Sequence, residues 1–98
     1  MTAAFLSVAG EIVDGVCVVS VVGDVDLSTA GRLRDALLSS AAAGHPLVVD
    51  LAGVRFLDAA GISALVSGRQ ATGGRLRIVG ATGVVHRVLS VTGLLEQP

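Results

Sequence analysis

Val48-Val49-Asp50-Leu51-Ala52-Gly53-Val54-Arg55-Phe56-Leu57-Asp58-Ala59-Ala60-Gly61-Ile62-Ser63-Ala64-Leu65 is the stretch that decides the fold. Leu47 to Leu51 is a short apolar run of the kind that forms a buried strand. A turn is expected from Ala52 to Asp58. A helix then starts between Ala59 and Gly61, with Ile62, Leu65 and Val66 facing inward and Gly73-Gly74 stopping it. A strand that feeds directly into a helix is the unit of an α/β fold.

The same logic extends in both directions. Upstream, Asp14-Gly15 separates the apolar runs Phe5–Val13 and Val16–Val22, which predicts an antiparallel hairpin. The second run is nearly all apolar, so a central strand covered on both faces is expected. Gly23-Asp24-Val25-Asp26-Leu27-Ser28-Thr29 follows, where Asp26 or Ser28 can cap a helix. That helix carries Ala30, Leu33, Leu37 and Ala41 on one stripe and ends at Gly44. Downstream, Arg75 to Val79 alternates as a half-exposed strand. Thr82 opens a last helix in which Val84, Val85, Val88 and Leu89 pack, ending at Gly93. The order β-β-α-β-α-β-α predicts one α/β domain over residues 1–98, with an N-terminal β-hairpin. Its sheet is four-stranded, mixed but mostly parallel, and flanked by helices.

Composition excludes several functions. The net charge is −1, and the seven basic residues are all Arg and scattered, unlike a phosphate-tracking surface. Without Lys there is no Schiff-base or P-loop lysine. Gly73-Gly74 follows a helix and precedes a strand, the wrong order for a phosphate cradle. Cys17 is the single cysteine, so no internal disulfide forms. It lies in an apolar strand, where a thiol is an inert small hydrophobe. His45, His86 and Cys17 have no metal-ligand spacing, so no metal or cofactor is expected. His86 reads as a helix-surface residue and His45 as a loop residue. Asp24 and Asp26 read as turn and cap residues, and no catalytic residue is expected. No signal peptide or membrane-length apolar run is visible, which gives a cytoplasmic, non-inserting protein as the expectation.

The opening stretch resembles the signature of STAS domains, found in sulfate transporters and anti-sigma-factor antagonists. The family pattern is a strand ending Asp-Leu-Ser, then Val-x-Phe-Ile/Leu-Asp-Ser-Ser/Ala-Gly, then a helix. Gly23 to Ala30 resembles the family's first strand-to-helix turn. Gly73 to Val79 and Val88 to Leu94 resemble its last strand and helix. The resemblance implies a bacterial, non-enzymatic regulator that binds an anti-sigma factor and frees a sigma factor. The partner it implies is a kinase-like ATP-binding protein. It also implies a partner-binding surface of Asp24, Asp26, Ser28, Thr29, Leu57, Asp58, Ala59, Ala60, Gly61 and Ile62. In the family a Ser at the start of the second helix is phosphorylated to break the complex. Here that position is Ala59, which has no hydroxyl. An alternative role is a stand-alone STAS subunit that binds the ATPase of a lipid transporter.

Overall fold

A computed structural model describes residues 5–95. The elements run β1 (Leu6–Val13), β2 (Val16–Val25), α1 (Ala30–Ala42), β3 (Leu47–Leu57), α2 (Ala59–Ala71), β4 (Leu76–Val79) and α3 (Gly83–Thr92). The sheet order is β1-β2-β3-β4. β1 pairs antiparallel with β2, and the later neighbours are parallel. The expected four-stranded mixed sheet and hairpin are therefore present. Asp14 and Gly15 both have positive φ, at 50° and 80°. That turn matches the right-handed twist of its flanking strands.

Two expectations about strands are corrected. β2 is covered on one face only: Cys17, Val19, Val21 and Val25 are buried, while Ser20 and Val22 are exposed. The cause is topological. Strands 2, 3 and 4 lie in sequence order, and right-handed crossovers place both connecting helices on the same side. In addition, residues Ala52 to Leu57 are strand, where a turn was expected. Val22 pairs with Gly53, Gly23 with Val54, Asp24 with Phe56 and Val25 with Leu57, through two register shifts. Gly53 makes this close pairing possible, since a Cβ there would lie 2.8 Å from Val22 Cγ2.

The core joins the strands' covered face to Leu33 and Leu37 of α1, Ala64 and Leu65 of α2, and Val85 and Leu89 of α3. Ile62 and Val66 pack against it while partly buried, and Val88 is half-buried. Val84 does not pack as expected and is 67% exposed. It lies one residue from buried Val85, about 100° round the helix and off the inward stripe. Each Leu removed from the core here carries the usual cavity cost of about 2–5 kcal/mol.

Cys17 is buried, with Sγ 3.5 Å from Ser40 Oγ. Native labelling by a thiol reagent is therefore expected to be slow and to become fast only on denaturation. Fast native labelling would contradict the placement.

Candidate functional site: the edge formed by two strand-to-helix turns

The carboxyl ends of β2 and β3 lie side by side. Val25 pairs with Leu57, and Asp58 N–H donates to Val25 O at 3.2 Å. The turn after each strand therefore emerges at the same edge of the sheet, where α/β folds place their binding sites.

In the first turn the Asp26 carboxylate acts as the organiser. Its Oδ1 accepts from Ser28 N at 2.8 Å, Ser28 Oγ at 2.7 Å and Thr29 N at 3.1 Å. Its backbone carbonyl accepts from Thr29 N at 3.1 Å and Ala30 N at 2.8 Å. This is an Asx turn running into a helix. Asp26 thus prepares α1 from three residues upstream of the cap position. Thr29 occupies that cap position and makes no capping bond. Its buried hydroxyl instead accepts from Asp26 N at 3.0 Å and donates to Asp24 O at 2.7 Å, tying the turn to β2. Asp24 Oδ2 accepts from Arg55 Nη2 at 3.0 Å. The Arg55 side chain is 72% exposed, so this ion pair is worth about 1 kcal/mol or less.

The Ser28 hydroxyl, followed by the turn's N–H donors, holds the Asp26 carboxyl below its ordinary value of 3.8. A carboxylate with a depressed pKa supports the fold above its ordinary range and loses that support as pH falls through the lowered pKa. NMR titration of Asp26 is expected to give a midpoint below 3.8. Ser28→Ala is expected to raise that midpoint, and an unchanged midpoint would contradict the assigned cause.

In the second turn Asp58 is the N-cap of α2. Its Oδ1 accepts from Ala60 N at 2.9 Å and Gly61 N at 3.3 Å. This satisfies two of the helix's otherwise unpaired donors. Gly61 is required by packing: a Cβ there would lie 2.4 Å from Leu57 Cδ1 and 2.8 Å from Val25 Cγ1.

The residues expected at a partner surface divide into two groups. Leu57, Gly61 and Thr29 are buried and hold the turns in place. Ser28 and Ala59 are exposed, and Asp24, Asp26, Asp58, Ala60 and Ile62 are half-buried. Sequence reasoning missed Leu27, which is 86% exposed at the tip of the first turn. Its signal was present: a large apolar residue between Asp26 and Ser28, in a turn whose polar groups bond to each other. Phe56, opposite Asp24, is 48% exposed. Among the described residues no cluster of three His, Cys, Asp or Glu could hold a metal ion. No helix among the described residues is long and apolar enough to cross a membrane. The edge offers an apolar tip, small exposed side chains and carboxylates already paired with donors of this chain. Such an arrangement suits recognition of another macromolecule.

The family model described as "Mlab, STAS domain" matches residues 8–96. The anti-sigma-F factor antagonist RsfB of Mycobacterium tuberculosis is 33% identical over 85 residues, spanning 83% of this chain and 69% of RsfB. The crystal structure of an anti-sigma factor antagonist from Mycobacterium paratuberculosis superposes with a TM-score of 0.84 at 33% identity, covering 92% of this chain and 80% of that one. Unphosphorylated SpoIIAA, also an anti-sigma factor antagonist, shares the fold with a TM-score of 0.79 at 17% identity, covering 91% and 83%. The chain therefore belongs to the STAS-domain family and is related to the bacterial anti-sigma-factor antagonists.

Proposed function

We propose that this chain is an anti-sigma-factor antagonist that uses the Leu27–Ser28 and Asp58–Ile62 edge to bind an anti-sigma factor, releasing the sigma factor it holds. The observation that carries this reading is the pairing of the two turns at one edge, with Leu27 projecting from it. The identity to mycobacterial antagonists supports it. The partner is a kinase-like ATP-binding protein, and both act in the cytoplasm without catalysis by this chain. The residues that meet the partner are Leu27, Ser28, Ala59 and Ile62. Asp24, Asp26, Thr29, Leu57, Asp58, Ala60 and Gly61 fix their positions.

In this reading the complex lacks the family's phosphorylation switch. Ala59 sits in the first turn of α2 with no hydroxyl to modify. Thr29 is buried and its hydroxyl is committed to Asp24 O. Incubation with the partner kinase and ATP is expected to leave the protein's mass and binding unchanged. Ala59→Ser is expected to gain one phosphate and then bind about tenfold weaker or worse, because a charge of about −1.5 to −2 enters the contact. Stoichiometric phosphorylation of the unmodified sequence with loss of binding would show that the switch is present.

The missing hydroxyl equally supports a second reading, a STAS subunit seated on the ATPase of a lipid transporter. Binding assays with both partner types separate the two. An ATPase complex with no anti-sigma-factor complex selects the second.

A further inference from the structure

The sheet has one uncovered face. None of its residues is buried among the described residues, although Val22 is 47% and Val79 38% exposed. The strand register arranges this face in rows. One row across all four strands is Glu11, Val18, Val48, Arg77, and the next is Ala9, Ser20, Asp50, Val79. In both rows the outer and inner pairs are complementary to each other. The first has opposite charges at its ends and Val at its centre. The second has apolar ends, and a hydroxyl beside a carboxylate at its centre.

We propose that this face docks a second copy of the chain, face to face about a two-fold axis running along the strands between β2 and β3. That rotation carries β1 of one protomer over β4 of its partner, and β2 over β3, while keeping the rows in line. Glu11 then meets Arg77 of the second copy, and Val18 meets Val48. Ala9 meets Val79, and the Ser20 hydroxyl donates to the Asp50 carboxylate. Asp50 Oδ1 already accepts from Ala52 N at 2.9 Å, which leaves Oδ2 for that bond. Each contact occurs twice, as an isologous interface requires. Aligned sheets stack about 10 Å apart with a rotation of about 30°, which long Glu and Arg side chains span. About seven residues of each of β1, β2 and β3, with the four of β4, give a footprint of roughly 400 Å² per protomer. Standard interfaces bury about 800 Å² per partner, so this dimer is weak, with a Kd on the order of 100 µM. The edge proposed for the anti-sigma factor stays free, so dimerisation and partner binding are separable.

Sedimentation equilibrium of the full chain from about 10 µM to 1 mM tests the proposal. Wild type is expected to shift from monomer to dimer. Val18→Lys is expected to weaken association about tenfold or more, by placing a charge at the centre of the contact. Glu11→Arg and Arg77→Glu each bring like charges together and are expected to stay monomeric longer. An equimolar mixture of these two variants is expected to dimerise again, because both facing pairs become opposite in charge. Circular dichroism checks that each variant is folded. A wild-type monomer at every concentration overturns the proposal. So does a dimer indifferent to Val18→Lys, or a mixture that associates no better than its components.

Discussion

Gly23→Ala is expected to destabilise the protein by about 3 kcal/mol or more, lowering Tm by roughly 10–20 °C. Gly23 has φ of +113°, a conformation that side chains with a Cβ rarely adopt. A Cβ there would sit 2.1 Å from the backbone oxygen of Phe5 and 2.9 Å from its carbonyl carbon. Both obstacles are main chain, so no rotamer change relieves them. Either the turn backbone rotates, or β1 leaves β2 at this end and the 2.8 Å bond from Asp24 N to Phe5 O breaks. Domains of this size have only about 5–15 kcal/mol of stability, so the loss is large. Gly31→Ala is the control. Gly31 lies in α1 with open space around its Cβ and no positive φ, so the change is expected to stabilise by about 0.4–1 kcal/mol. Thermal melts of the two variants read both effects. A Gly23→Ala protein as stable as wild type would contradict the described β1–β2 junction.

Leu27→Asp is expected to leave the fold intact and weaken anti-sigma-factor binding by about 2 kcal/mol or more, roughly 30-fold in Kd. The fold is spared because Leu27 is 86% exposed and its side chain supports no core contact. Binding suffers because a projecting apolar side chain gains most of its energy by entering a pocket on the partner. An Asp in that pocket would be a desolvated, unpaired charge. Leu27→Ala removes the apolar group without adding charge and is expected to fall between wild type and Leu27→Asp. Asp58→Ala acts differently. It removes the cap of α2 and is expected to cost about 0.5–2 kcal/mol of stability before any loss of binding. Measuring Tm and Kd together therefore separates residues that touch the partner from residues that hold the turn.

The sequence was most readable where local chemistry and tertiary structure agree. Asp14-Gly15 supplies the two left-handed residues of a hairpin turn, and that turn is present. The helix expected to start between Ala59 and Gly61 begins at Ala59. What escaped reading depends on neighbours distant in sequence. Ala52-Gly53 looks like a turn locally, yet it is strand because β2 continues to Val25 and supplies hydrogen-bonding partners. The apolar run Val16–Val22 looks buried on both sides. One-sided cover follows from strand order, which no local pattern encodes. Val alternating with Val hides the difference between the two faces. At the site, family resemblance pointed to these two turns but not to the division within them. Leu57 and Thr29 turn inward and Leu27 turns out, which only the backbone direction after each strand decides.

The proposed complex forms at the paired turns and carries no phosphorylation switch. Titrating isotope-labelled protein with the anti-sigma factors of its source genome, in the presence of ATP, tests it most directly by NMR. Saturable binding by one of them is expected, and ATP turnover is not expected to reverse it. Amide shifts are expected to concentrate at Leu27, Ser28, Ala59 and Ile62. No binding by any of them, or shifts confined to residues outside the two turns, would overturn the proposed function.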